Sequence, residues 1–328
     1  MNLDGKTIFI TGGTGSFGKA CIDTLLAEHQ PKVVRVFSRD ELKQSEMQAH
    51  YAGEKRLRFF LGDVRDRDRL IGATRGVDLI LHAAALKQVP ACEYNPFEAA
   101  QTNVIGSENV VAAAIANDVP RTLLLSTDKA VNPVNLYGAT KLCAEKIVTQ
   151  GNALAADSLA RFASVRYGNV VGSRGSVIPI FLAQAESGRV TITDERMTRF
   201  WITLEQAVHF VLSRLPLMEG GEVFVPKIPS MRVREIAAAV APDAEHEIIG
   251  IRPGEKLSEV LLTEDESRHA RELDDCYVIY PEFPLWRAEP YLQGTPVPDG
   301  FRYSSDTNPG QLSVEELRAM LPSLQLVP

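Results

Sequence analysis

Asp128 and Lys129 set an acid beside a base in the stretch STDKAVNPVNLYGATK, residues 126–141. Tyr137 and Lys141 follow four residues apart, so a helix over NLYGATK puts both on one face. An ammonium near a phenol favours phenolate, moving tyrosine from its unperturbed pKa of about 10 toward a usable base. Thr127 closes an apolar run and is placed to orient a substrate hydroxyl. Proton transfer is therefore available at two points, Tyr137 and the Asp128–Lys129 pair. Taken alone, YxxxK is common by chance and adjacent opposite charges are usually a solvated loop pair. The elements around them decide.

Apolar runs TIFIT, KVVRVFS, RLRFFLG, VDLILHAA, RTLLLST and ASVRYGNV read as strands, separated by segments of helical period. The clearest helix is NPFEAAQTNVIGSENVVAAAIAND, with Asn95 as N-cap ahead of Pro96. Alternating strand and helix predict an α/β fold, a doubly wound parallel sheet of Rossmann type with a second, smaller domain. After Gly172 the pattern breaks, then LEQAVHFVLSRL returns to helical period and GEVFVPKI to a strand. The predicted division gives residues 1–172 and about 204–230 to a cofactor domain. Residues from about 173 to 203 and 231–328 go to a substrate domain.

GGTGSFG follows the first strand and opens a helix, so Gly13, Gly15 and Gly18 meet the GxGxxG fingerprint in its proper context. Gly12, Thr14, Ser16 and Phe17 share that turn and are expected on the pyrophosphate of a dinucleotide. The second strand ends in Ser38 and Arg39, with Lys43 beyond, where NAD sites carry an acid for the ribose. A guanidinium and a hydroxyl suit a 2′-phosphate, which favours NADP over NAD. Asp63 and Val64 are assigned to the adenine, and Ala83, Ala84 and Ala85 to the cofactor wall after the fourth strand.

The 328 residues exceed the usual single-domain length, and 45% hydrophobic with 23% charged residues is ordinary globular composition. A net charge of -7 argues against nucleic acid as a partner. Cys21, Cys92, Cys143 and Cys276 form no CxxC pair, and the six histidines show no metal-ligand spacing. Neither a secretion signal nor an apolar run of about 18 residues is apparent. A cytoplasmic protein with no membrane partner is expected.

Together, STDKAVNPVNLYGATK, FSRDELKQSEM, HAAALKQVP, RYGNVVGSRGSVIPIF, MTRFWI and RPGEKLSE resemble the extended short-chain dehydrogenase/reductase family along almost the whole chain. That resemblance implies Thr127, Tyr137 and Lys141 around the nicotinamide, with Asn103 as a structural partner. Retaining sugar-nucleotide 4,6-dehydratases of the family carry Thr-Asp-Glu where this chain has Thr127-Asp128-Lys129, and simple 4-epimerases carry no such acid pair. The lysine, with Tyr137 present, resembles the short inverting branch that acts on UDP-N-acetylglucosamine and opens pseudaminic acid (flagellin glycan) biosynthesis. A capsule-type dehydratase or epimerase, an NAD(P)-dependent 4-epimerase and a non-enzymatic dinucleotide sensor are the competing readings.

The same resemblance implies oxidation at C4 with Tyr137 as base, followed by elimination in which Lys129 removes the C5 proton and Asp128 protonates the C6 hydroxyl. For that, Lys129 must be neutral, through desolvation or through positive charge on Lys141 or Lys87. It also puts Lys87 and Tyr94 near the sugar, and Asn169 and Arg174 at the domain junction. Arg199, Arg252 and Glu255 fall to the nucleotide diphosphate and ribose. A homo-oligomer, dimer or hexamer, is expected, with a dimer formed through the helix that carries Tyr137.

Overall fold

The computed structural model describes residues 2–155, 157–171, 177–286 and 292–323. Six strands, β1 (Thr7–Thr11), β2 (Val33–Ser38), β3 (Leu57–Leu61), β4 (Leu79–His82), β5 (Arg121–Leu125) and β6 (Arg161–Val165), pair in parallel in the spatial order 6-5-4-1-2-3. Every residue of β1 is buried, because helices cover both sheet faces. Alternation divides the core: Ile8 and Ile10 pack with Cys21 and Leu25 on one face, and Phe9 packs with Phe37, Val110 and Val148 on the other. β1 pairs with both β2 and β4, so the strand order reverses there. The crevice for a ligand opens at the C-terminal ends of these strands.

ASVRYGNV is two strands rather than one. β6 ends at Val165, and Asn169–Val171 pairs instead with Thr198–Thr203 in a second sheet completed by Ser230–Arg232. The chain thus crosses between domains at Arg166–Gly168. Arg166 holds this crossing from inside, giving hydrogen bonds to Glu145 on the helix Leu136–Leu154 and to Glu266 at 2.8 Å each. Burial works against the Arg166 charge, but the two carboxylates outweigh it.

The smaller domain gathers the helices Val177–Ala185, Val233–Val240 and Val314–Met320 around Phe181, Met197, Trp201 and Met231. Its predicted boundary needs correction. Val223–Pro226 joins β6 in parallel as expected, but Cys276–Ile279, Ala270–Glu272 and Thr295–Pro296 then extend the same sheet antiparallel. Residues past 231 therefore belong partly to the large sheet, since the apolar run CYVI covers the otherwise open edge of Val223–Pro226.

The long helix predicted from Asn95 is segmented into Pro96–Ala100, a π turn at Gln101–Ile105 and Gly106–Ala116. Asn95 stands at the N-cap position, but its amide donates back to the Ala91 carbonyl. Among the described residues no helix is long and apolar enough to cross a membrane.

Candidate active site

A cleft of about 1050 Å³ runs from the β1 turn to the second domain. Its cofactor end is lined by Gly12, Thr14, Gly15, Ser16, Phe17, Gly18, Ser38, Arg39, Lys43, Asp63, Val64 and Ala83 to Ala85. The residues present fit a dinucleotide. Gly12 has φ +65°, and a Cβ there would lie 2.9 Å from the Ala84 backbone, so only glycine lets the two loops close on each other. Gly15 caps the helix Ser16–Glu28 without any side-chain hydrogen bond, which leaves its first N–H groups for an anion.

Ser38 and Thr14 share a hydrogen bond of 2.8 Å. Helix capping falls to Asp40, which accepts from Lys43 N, so Ser38 is not the cap. Arg39 lies 3.7 Å from Asp63, and Lys43 lies 2.7 Å from Asp40. Both cations are half exposed, within reach of an incoming phosphate. Asp63 itself is clasped by Arg65, which outweighs burial and lowers its pKa.

The reactive groups converge where β5 ends. Asn135 caps the helix Leu136–Leu154 by accepting from Gly138 N at 2.8 Å, which fixes Tyr137 and Lys141 on its first turns. A Cβ on Gly138 would collide with the Lys129 carbonyl, so the helix start and the Asp128–Ala130 turn can touch only through glycine. Thr127 Oγ1 donates to Asp128 Oδ1 at 2.8 Å. The Lys129 ammonium donates to Asp128 Oδ1 at 3.0 Å, to Oδ2 at 2.9 Å and to Asn169 Oδ1 at 2.7 Å. Asp128 is fully buried, while a quarter of the Lys129 side chain is exposed.

These ionisations depart from expectation in two ways. Burial pulls Lys129 down, but Asp128 and Glu259 outweigh it, so the ammonium is favoured rather than the neutral amine. Burial pushes Tyr137 up to about 12, against downward pulls from Thr127 and Lys129. The cation acting on the phenol is thus Lys129, and Lys141 is instead held by the Leu125 carbonyl at 2.8 Å and lowered by burial to about 8.

Asn103 sits on the π turn and accepts from Leu86 N while donating to Leu86 O and Thr140 Oγ1. It ties the wall loop to the helix Leu136–Leu154. His82 is bonded to Thr11 and Ser107, and burial, then Lys141, lowers its pKa to about 3.

A sequence model for the family described as polysaccharide biosynthesis protein matches residues 8–281. The chain belongs to that family. A Campylobacter jejuni relative named UDP-N-acetylglucosamine 4,6-dehydratase (inverting) is 50% identical over 96% of this chain and 97% of its own. A Rickettsia conorii relative named UDP-glucose 4-epimerase is 40% identical, covering 98% of this chain and 97% of its own. The X-ray structure of Pen from Bacillus thuringiensis is 40% identical and superposes with a TM-score of 0.91 over all of both chains. The extended short-chain dehydrogenase/reductase fold expected from the motifs is the fold observed.

In this member of the polysaccharide biosynthesis protein family, Lys87, Asn169, Arg199, Arg252 and Glu255 also line the cleft. Lys87 is lowered by burial and by the Lys129 ammonium. Asn169, assigned to substrate, already accepts from Lys129. Arg252 and Glu255 form one turn, where Glu255 N donates to Arg252 O at 3.1 Å. Tyr94 stands apart, 88% exposed and off the cleft lining, and Arg174 lies outside the described residues. The sequence reading overlooked Glu259 and Lys256, which face Lys129 from the second domain. Their one sequence signal was the i, i+3 spacing within RPGEKLSE.

Proposed function

We infer that the protein removes water across C5 and C6 of UDP-N-acetylglucosamine, inverts C5, and does so with NADP. The observation that carries this reading is Thr127, Lys129 and Tyr137 lining one cleft, with the buried Asp128 carboxylate bonded to Lys129 at 2.9 Å. The Campylobacter relative's name supports it. Arg39, Ser38 and Lys43 support NADP over NAD.

NADP would be held by Gly12, Gly15, Gly18, Ser38, Arg39 and Lys43, and would supply the acceptor for the C4 hydride and its return to C6, with no net redox change per turnover. In its phenolate form, which Thr127 and Lys129 favour against burial, Tyr137 takes the proton of the C4 hydroxyl, which Thr127 orients. The resulting C4 ketone makes the C5 proton acidic. Lys129 removes that proton, and Asp128 protonates the C6 hydroxyl, which departs as water and leaves a 4-keto-5,6-ene. Protonation of C5 on the opposite face then inverts it.

Both roles require an amine and a carboxylic acid, the reverse of the resting ion pair. One proton crossing the 2.9 Å contact from Lys129 to Asp128 produces both, with no uptake from solvent. A bound sugar covering Lys129 would strip water from the pair and so disfavour its charged form. Productive binding thereby arms the elimination. Arg199, Arg252 and Glu255 are assigned to the diphosphate and ribose, and Lys87 to the sugar.

The test is incubation with UDP-N-acetylglucosamine in D₂O, followed by NMR and mass spectrometry. A product lighter by one water, deuterated at C5 and inverted there, is expected. Unreacted substrate overturns the reading. A C4 epimer with no loss of water would select the second reading, 4-epimerase, which the Rickettsia relative's name favours.

A further inference from the structure

Glu259 reaches the reactive pair from the second domain, on a backbone locked at both polar atoms. Its N donates to Ser305 Oγ at 2.9 Å, and its carbonyl accepts from Ser305 N at 2.8 Å. Its side chain is buried among three cations. Oε1 lies 3.6 Å from Lys129 Nζ and 3.8 Å from Arg199 Nε, and Oε2 lies 3.7 Å from Lys256 Nζ. None of these is at hydrogen-bond distance, and among the described residues the buried Oε2 has no hydrogen-bond partner. Lys129 already donates three hydrogen bonds, two to Asp128 and one to Asn169. Glu259 therefore acts on it through charge.

We propose that Glu259 is a positioning residue of the elimination step: it balances Lys129, Arg199 and Lys256 and so retains the proton that Asp128 and Lys129 share. This rests on the roles given to that pair above. The charged and titratable groups facing Lys129 are Asp128 on its own turn, Lys87 from the loop after β4 and Tyr137 on the catalytic helix. Arg199 faces it from the strand Thr198–Thr203, and Lys256 and Glu259 from the segment that follows RPG. Asp128 and Glu259 hold the proton, and Lys87, Arg199 and Lys256 oppose it.

The sign follows from the pair's working form, which carries one proton. That form is lost as pH rises through the pair's upper pKa, because the pair then carries no proton to pass to the C6 hydroxyl. Removing the Glu259 charge lowers that pKa. In the NADP-loaded full chain, Glu259→Gln should move the alkaline limb of water elimination acidward by about one pH unit. Glu259→Asp, which keeps the charge, should restore the wild-type limb. Lys256→Met removes an opposing cation and should move the limb the other way, a check that survives even if Glu259→Gln fails to fold.

A Gln profile that differs from wild type only by a uniform factor would overturn the role of Glu259. So would an Asp variant shifted as far as Gln, or a Met variant with an unmoved or acidward limb. Wild type that releases no water from UDP-N-acetylglucosamine would instead overturn the functional reading, before any variant is compared.

Discussion

With its three protons committed to Asp128 and Asn169, the Lys129 amine has no lone pair to offer until one proton has moved. Loss of this side chain should therefore separate the two halves of the chemistry. In Lys129→Ala, solvent deuterium at C5 should fall by about 100-fold or more, while reduced cofactor still accumulates from bound substrate by absorbance. Undiminished exchange at C5 would remove Lys129 from the base role. At the cofactor end, Arg39 is half exposed and, among the described residues, is held by a 3.7 Å contact with Asp63, so it can turn to a phosphate with little to lose. Arg39→Ala should weaken NADP by roughly tenfold and NAD much less, read by equilibrium titration of both cofactors. Equal weakening would leave the 2′-phosphate to other groups. Asp128, Lys129, Tyr137 and Lys141 were legible because their types and spacing lie within sixteen residues of sequence. Glu259 was not, because it lies 130 positions further along the chain and meets Lys129 only once the chain has folded.

At the scale of elements, the inner strands β1 and β4 were legible because burial on both faces makes each a continuous buried run. The π turn was not. QTNVI is compatible with an ordinary helix, and what accompanies the extra residue per turn is Asn103 reaching Leu86 and Thr140, tertiary partners absent from any local pattern. Beside that turn, His82 joins β1 through Thr11 to the helix Gly106–Ala116 through Ser107. Its pKa falls from 6.5 to about 3 because burial, then Lys141, disfavours the charged ring. Between those values the unfolded chain binds a proton that the folded chain does not, so stability declines as pH drops below 6.5. From pH 7 to pH 5 this histidine alone should cost about 2 kcal/mol. His82→Asn cannot bind that proton, so its stability deficit against wild type should shrink by about that amount between the two pH values. Urea unfolding at each pH measures it, and a deficit independent of pH would mean that His82 is not held neutral by the fold.

Over the whole molecule, the junction between domains escaped the sequence because its stabilising contacts join distant segments, as when Arg166 binds Glu145 and Glu266. The large sheet also recovers residues 270–279 after the chain has left it, which no periodicity announces. The exposed surface bears on a further expectation, self-association. Tyr94 and Phe97 are more than four-fifths exposed, and Ile105 follows at 41%, all on helical segments that pack beside the catalytic helix. Large apolar side chains grouped this way on a face rich in helix are what a second copy of the chain would cover. A contact there would also account for Tyr94 lying off the cleft. Phe97→Glu would bring a charge into such a contact, where burial without a partner is costly. Sedimentation should then show the wild-type oligomer reduced toward monomer, with the far-ultraviolet spectrum unchanged. If the variant instead sediments as wild type does, the copies meet through another face, and the exposure of Tyr94 and Phe97 needs a different cause.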